Sequence, residues 1–403
     1  MLVAIALAVL ALLGHAALCV GAVNRIHAIG ASRRLIDLVT GSCRLVLIGL
    51  PLLAIGHWWF SGKPIETWLS SALDDRALRF YLAPCWIVAL ATIWLWIERR
   101  FDARRGAAVE TNHTEVVDVA ARLGRKPVSG FRASMLSRVP GNQVFQLAVR
   151  ETQLRLPRLP KELDGLSIAH FSDLHVTGRI EIDYFHEVVD RVLALRADLI
   201  AVTGDVMDEM KHIDWLEETL GRLTAPLGAY FVLGNHDQFT GRAAVVRKAL
   251  VEAGLTDLGG RWQRVEAAGA TVILAGSELP WLRLRAEMEQ CPPRQEGHPH
   301  LRMLLAHSPD QFGWARRRDF DLVLAGHTHG GQICFPLIGP IHCPSWHGVK
   351  YASGVFFESP TAMHVSRGVS SALPIRLNCR PEVTKLVLRR QFNRQWTPIA
   401  QRI

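Results

Sequence analysis

The chain has 403 residues, 49% of them hydrophobic, and a formal net charge of +9. That length exceeds one typical domain, so a catalytic-sized body plus a second part is expected. Up to Glu110 there are 11 Lys and Arg against 7 Asp and Glu, and in the body only Arg316, Arg317 and Arg318 cluster, as a solvated helix end would; nucleic acid, which needs a dense basic groove, is therefore not an expected partner.

Leu2 to Val23 carries no charged residue, and at about 1.5 Å per residue it reaches across a bilayer core of about 30 Å. No basic residue precedes it, and Leu18 stands before Cys19 where a lipoprotein cleavage site wants a small residue, so an uncleaved helix is predicted. Two further apolar stretches, about 43–60 and 80–98, are flanked by Arg44, Trp58, Trp59, Trp86, Trp94 and Trp96, side chains suited to a membrane interface. The first of these two holds Pro51 and His57, which leaves a re-entrant segment as the alternative to a full span. Residues 1–106 thus read as a transmembrane region of about three spans, with the lipid bilayer as partner.

Arginines set the orientation. Arg25, Arg33, Arg34 and Arg44 follow the first span and Arg99, Arg100, Arg104 and Arg105 the third, whereas Lys63, Arg76 and Arg79 are balanced by Glu66, Asp74 and Asp75. The positive-inside rule then places the amino terminus outside and the body on the cytoplasmic side of the inner membrane. The seven scattered cysteines form no Cys-x-x-Cys pair, which suits a reduced cytoplasmic compartment.

Residues 107–142 are polar and lack a strong period, so they read as a linker with a short helix at Glu115 to Leu123. The catalytic body is expected over 143–392, opening with a strand near a sheet edge, and 393–403 is a tail. Within the body one theme repeats. Apolar runs end at Ser172 Asp173 Leu174 His175, at Thr203 Gly204 Asp205, at Gly234 Asn235 His236 Asp237, at His307 Ser308 Pro309 Asp310, and at Gly326 His327 Thr328 His329. Only the run Thr271 to Ala275 ends without such residues. Between the first runs, Phe185, Val188, Val189, Val192 and Leu193, then Ile213, Leu216, Leu220 and Leu223, recur at helical spacing. Alternating strands and helices predict an α/β sheet, and open α/β sheets carry their chemistry at the carboxyl ends of strands.

The collected donors are oxygen and imidazole with no thiolate, too many for one ion but suited to two sharing a carboxylate. In order, Asp-x-His, Gly-Asp, Gly-Asn-His-Asp, a lone His, and Gly-His-x-His-Gly-Gly-Gln from Gly326 to Gln332 resemble the calcineurin-like metallophosphoesterases. The likeness runs from Leu154 to Leu388. Val365 to Gly368 and Arg376 to Pro381 resemble the membrane-anchored bacterial subgroup of YkuE- and YaeI-like phosphoesterases. This resemblance implies a sandwich of two sheets flanked by helices. It also implies that Asp173, His175 and His329 hold one metal, that Asn235, His307 and His327 hold the other, and that Asp205 bridges them. His236 is then a proton donor outside the metal shell, oriented by Asp237.

A mixed nitrogen and oxygen shell suits Mn, Fe or Zn, two ions in all. The expected function is hydrolysis of a phosphodiester or pyrophosphate bond at the cytoplasmic leaflet, with a lipid-linked substrate resembling UDP-diacylglucosamine as first candidate. A nucleotide or nucleic-acid phosphodiesterase with an incidental anchor, and a regulatory or scaffold protein with an inactive site, are the alternatives; no obligate protein partner is evident. His15, His57, His186, His212, His298, His300, His342 and His347 have no partner spacing and read as ordinary histidines. Trp281, Leu282 and Leu284 read as buried contacts, with a lipid-facing lip as the alternative.

Overall fold

A computed structural model describes residues 2–64, 67–68, 71, 76–294 and 300–391 of the chain. It divides into two units, Met1–Asp102 and Ala103–Ile403. Glu66, Asp74 and Asp75 of the orientation argument, His298 and the expected tail 393–403 lie outside the described residues.

The first unit contains helices Leu2–Ala28, Arg33–Ser61 and Arg76–Arg100. All three are long and apolar enough to cross a membrane. The second starts at Ser32, whose hydroxyl accepts from the Leu35 amide, runs unbroken through Pro51, and stops at Gly62, whose φ of 64° suits glycine. The first and third helices meet at Gly14: a Cβ there would lie 1.7 Å from the carbonyl oxygen of Cys85, so only glycine permits the approach.

The second unit is a sandwich. Its strands, β1 to β15 in chain order, form two large sheets and one small ribbon. The seven-stranded sheet runs, in spatial order, β1 (Val109–Asp118), β2 (Gln146–Leu156), β15 (Glu382–Arg390), β3 (Ser167–Phe171), β4 (Leu199–Thr203), β5 (Ala229–Val232) and β6 (Thr256–Asp257). The six-stranded sheet runs β13 (Gly354–Glu358), β14 (Thr361–Val365), β10 (Leu322–Ala325), β9 (His300–Ala306), β8 (Ala270–Ser277) and β7 (Trp262–Ala267). The ribbon pairs β11 (Cys334–Phe335) with β12 (Gly339–Pro340).

Side-chain alternation explains the layers. Ile168, Leu199, Ala201 and Val232 point inward from one sheet to meet Val272, Leu274, Met303, Leu305, Leu322 and Leu324 of the other. Their neighbours Ala169, Phe171, Ile200, Val202 and Phe231 face outward, under helices Ile182–Ala194, Trp215–Leu220 and Ala243–Glu252. On the far side, Ile273, Leu304, Val323 and Met363 pack under helix Phe312–Arg317. Parallel strands buried on both faces must be apolar throughout, which is why these runs showed no polar alternation. Each fully buried large apolar side chain contributes about 1.5–3 kcal/mol to holding the sheets together.

One boundary needs correction. Residues 107–142 are no linker: Val109–Asp118 is the edge strand of the seven-stranded sheet, antiparallel to β2 from Val109↔Leu154 to Asp118↔Gln146. The helix expected over Glu115 to Leu123 shrinks to Val119–Arg122, its amino end capped by Asp118. The strand opening the expected body, β2, is near the edge as expected, second in the sheet after β1.

Candidate metal centre

The two sheets bring the ends of β3, β4, β5, β9 and β10 to one place. Asp173 and His175 follow β3, Asp205 follows β4, Asn235, His236 and Asp237 follow β5, His307 follows β9, and His327 and His329 follow β10. Backbone hydrogen bonds join the β3 turn to the β4 turn and the β9 turn to the β10 turn. The Asp173 and His175 amides donate to the carbonyls of Gly204 and Asp205, each at 2.9 Å, and the Gly326 amide donates to the His307 carbonyl at 2.9 Å.

Five of the expected donors occupy the left-handed region: Asp173 (φ 56°), His175 (47°), Asp205 (54°), His327 (69°) and His329 (51°). Such a conformation costs roughly 1–3 kcal/mol at a residue with a Cβ, and it lets donors two apart aim into one space. Two glycines admit the crowding. A Cβ on Gly234 would sit 2.2 Å from Asp205 Oδ1, and one on Gly326 2.7 Å from Asp173 Oδ2.

The donors form two groups that share Asp205. In the first, His175 Nε2 lies 3.0 Å from His329 Nε2, 4.0 Å from Asp173 Oδ1 and 3.7 Å from Asp205 Oδ2, and His329 Nε2 lies 3.6 Å from Asp173 Oδ1. In the second, His307 Nε2 is 3.2 Å from Asp205 Oδ2 and 3.1 Å from Asn235 Oδ1, with His327 in the same group. His307 Nδ1 donates to the Thr203 carbonyl at 2.8 Å, which leaves Nε2 with a free lone pair when the ring is neutral. Buried imidazole nitrogens facing carboxylates in this way fit borderline divalent cations, so the donor set suits the metals its chemistry implies. Burial pushes the Asp173 carboxyl up, and nearby Asp205 adds to the rise. Burial also opposes the protonated form of His307, but Asp205 and Asp173 outweigh it and hold the ring up at about 9. These are the electrostatics of a site that wants positive charge.

Outside the donors stands Asp208, which the sequence reading passed over. Its Oδ2 is 2.8 Å from His175 Nδ1 and its Oδ1 is 2.5 Å from His236 Nδ1. Burial resists its ionisation, yet His175 and His236 hold its carboxyl well below the usual range. The only signal was its position three residues beyond Asp205 in the same turn. His236 is 27% exposed, packs edge-on against His175 at 4.5 Å, and its amide donates to Asp205 Oδ1 at 2.8 Å. Burial opposes its protonation, but the carboxylates of Asp205 and Asp208 raise it to about 9.

Asp237 does not take the role expected of it. Its carboxylate accepts from the backbone amides of Val206 (3.0 Å), Met207 (2.8 Å) and Gly234 (2.8 Å), tying the β4 and β5 turns together, while Asp208 is the carboxylate that grips His236. Asp237 is fully buried among those three amides, and the carboxylate within hydrogen-bond distance of the His236 ring is that of Asp208.

Four further side chains shape the site or stand behind it. Arg376 is fully buried; it donates to the carbonyls of Arg367 (2.7 Å), His329 (3.1 Å) and Ser370, and its Nη2 faces His329 Nδ1 at 3.2 Å. Trp281 is 3% exposed, its ring 4.6 Å from that of His327 and 5.5 Å from that of His307. It is a buried wall rather than a lip; Leu284 alone of that trio is exposed. Behind the site, His170 and His364 form a buried pair, Nδ1 to Nδ1 at 2.8 Å, with His170 Nε2 on the Thr203 hydroxyl at 2.9 Å.

Residues 166–331 match the calcineurin-like phosphoesterase family. The phosphodiesterase YaeI of Escherichia coli is 30% identical over 226 residues, covering 55% of this chain and 81% of that protein. The chain belongs to the calcineurin-like metallophosphoesterase family. This metallophosphoesterase is also similar to the uncharacterized metallophosphoesterase YkuE of Bacillus subtilis, 29% identical over 59% of this chain and 84% of that one. A transmembrane protein with a metallophosphoesterase domain from Bos taurus is 28% identical over 68% of this chain and 64% of its own length.

Proposed function

We propose that this metallophosphoesterase is a membrane-anchored hydrolase that holds two divalent metal ions and cleaves a phosphodiester or pyrophosphate bond. The observation that carries it is Asp205, whose Oδ2 lies 3.7 Å from His175 Nε2 and 3.2 Å from His307 Nε2, one carboxylate facing two donor groups. Asp173, His175 and His329 hold one ion, Asn235, His307 and His327 the other, and Asp205 serves both. Bound there, divalent cations acidify water and neutralise charge growing on the phosphoryl oxygens.

The remaining steps belong to the chain. His236, held at Nδ1 by Asp208, presents Nε2 as the acid for the departing oxygen. Trp281 excludes water from one side of the donors. Three helices able to span a bilayer are more than a tether needs, which supports a lipid-linked phosphoester as substrate. A UDP-linked acylated sugar is the first candidate, at the cytoplasmic leaflet of the inner membrane. The calcineurin-like relative named a phosphodiesterase supports the diester chemistry.

The test is metal analysis of purified protein together with hydrolysis of bis(p-nitrophenyl) phosphate, with and without added Mn2+. Two ions per chain and metal-dependent turnover are expected; fewer than two at saturation overturns the binuclear reading. His236→Ala should keep both ions and raise the barrier by about 2–5 kcal/mol. Loss of metal in that variant would reassign His236 as a ligand.

A further inference from the structure

The segment 333–347, immediately beyond the His329 turn, contains no Asp, Glu, Lys or Arg. It folds as the β11–β12 ribbon and its return, and exposes Phe335, Leu337, Ile338, Ile341 and Trp346. Leu337 at the tip is 79% exposed, Ile338 53% and Trp346 55%. Single exposed apolar residues are ordinary, but five within twelve residues and without a charge among them form a patch of the kind that meets another apolar phase.

Both ends of the segment are fastened to loops that carry metal donors. At its start, Cys334 Sγ donates to the Gly330 carbonyl at 3.3 Å, beside His329, and the Cys334 amide donates to the Leu377 carbonyl at 2.9 Å. Pro340 lies so near Gly331 that a Cβ there would approach to 2.3 Å. At its end, Trp346 donates its amide to Asp310 Oδ2 at 2.9 Å and Ser345 its hydroxyl to Asp310 Oδ1 at 2.6 Å, three residues beyond His307. A buried apolar tip would therefore be held in fixed register with the donors.

We infer that residues 333–347 are an interfacial element, which seats Leu337 and Ile338 among the lipids at a bilayer surface and so presents lipid-linked phosphoesters to the metal centre. The occupant is a bilayer rather than a protein for two reasons. The same chain carries three helices long and apolar enough to cross a membrane, so that apolar phase is always at hand. The patch also pairs an aliphatic tip with a tryptophan at its return, the arrangement in which the tip enters the acyl region and the indole stays at head-group level. This inference rests on the proposed lipid-linked substrate and adds the surface that would receive it.

The experiment uses the full chain in phosphatidylcholine vesicles with a photoreactive benzoylphenylalanine in place of Leu337, adducts being identified by mass. A phosphatidylcholine adduct is expected; a protein adduct, or none, overturns the inference. In parallel, Leu337→Asp and Ile338→Asp are assayed on a diacylglycerol p-nitrophenyl phosphodiester in the vesicles and on soluble bis(p-nitrophenyl) phosphate. The expected result is a rise of about tenfold in KM for the vesicle substrate with soluble turnover unchanged. An equal loss on both substrates, or no change on either, also overturns it. If the unsubstituted protein hydrolyses neither ester, the proposed function fails, and the photoadduct still decides whether the tip enters lipid.

Discussion

The two donor groups share Asp205 but are backed in different ways. Around Asp173, His175 and His329 the outer partners are charged: the Asp208 carboxylate at 2.8 Å on one imidazole and the Arg376 guanidinium at 3.2 Å on the other. Around His307 and His327 stand two neutral groups: the Thr203 carbonyl at 2.8 Å from His307 Nδ1 and the Trp281 ring. A carboxylate makes an imidazole more basic and a cation makes it less so, whereas a carbonyl mainly fixes the tautomer and an aromatic wall keeps water out. One group carries a carboxylate and a guanidinium on its rings and the other a carbonyl and an aromatic wall, so substitutions at these partners should separate them.

The largest effect is expected where the halves meet. Asp205→Ala removes the donor common to both groups, and both ions and all diester turnover should be lost together, by about a thousandfold or more; one ion retained at full occupancy would dissolve the symmetry of the comparison. Next comes Asp208→Asn, which keeps the shape but removes the charge behind His175. Metal in the charged half should weaken by about 10–100-fold while the other half holds its ion, as read by Mn2+ titration under electron paramagnetic resonance. Equal weakening of both would mean that charge is not what distinguishes them. Trp281→Phe should act on the neutral half alone, by less than about tenfold in metal affinity, because it thins a wall without removing a donor.

The smallest effect on the centre is expected from His364→Gln, behind both halves, yet this change should alter the pH dependence of stability. Burial, with Arg150 and Arg367, lowers His364 from 6.5 to about 3, and burial lowers its partner His170 as well. The folded state therefore favours the neutral rings, and unfolding takes up protons. For His364 the stabilisation is full above pH 6.5 and is lost as pH falls toward 3, at up to about 1.4 kcal/mol per unit, and His170 adds in the same direction. Thermal melts of the glutamine variant should show a shallower acid limb, with metal binding at pH 7 unchanged.

Much of the site could be read from the chain because each donor follows an apolar strand at a sharp turn, a pattern that survives without knowledge of the packing. Asp208 escaped because it lies five residues past its strand end, in a stretch whose partners come from other turns. Arg376 acts through carbonyls and one ring nitrogen, contacts that leave no spacing signature. The edge strand was hidden for a different reason. Of Val109–Asp118 only Val117 is buried, so no period of two is written in its side chains; β1 is a strand because its backbone finds β2. Likewise the uncharged run 333–347 reads as a loop until its fastening to Gly330 and Asp310 is seen. The second sheet's ligand-free strand β8 was foreseen, and Trp281 beyond it is the buried contact expected, packed against the donor rings of His327 and His307.

The stitching of the five turns bears on how the protein reaches this state. The His327 amide donates to the Asp173 carboxylate at 3.1 Å across 154 residues of chain, and His307 meets Asn235 across 72. No local segment can assemble either donor group, because closing such loops costs entropy that is recovered only when both sheets have docked. Metal occupancy is then a report on completed folding, and a chain stalled with one sheet formed would hold scattered histidines and carboxylates but no pocket of defined geometry.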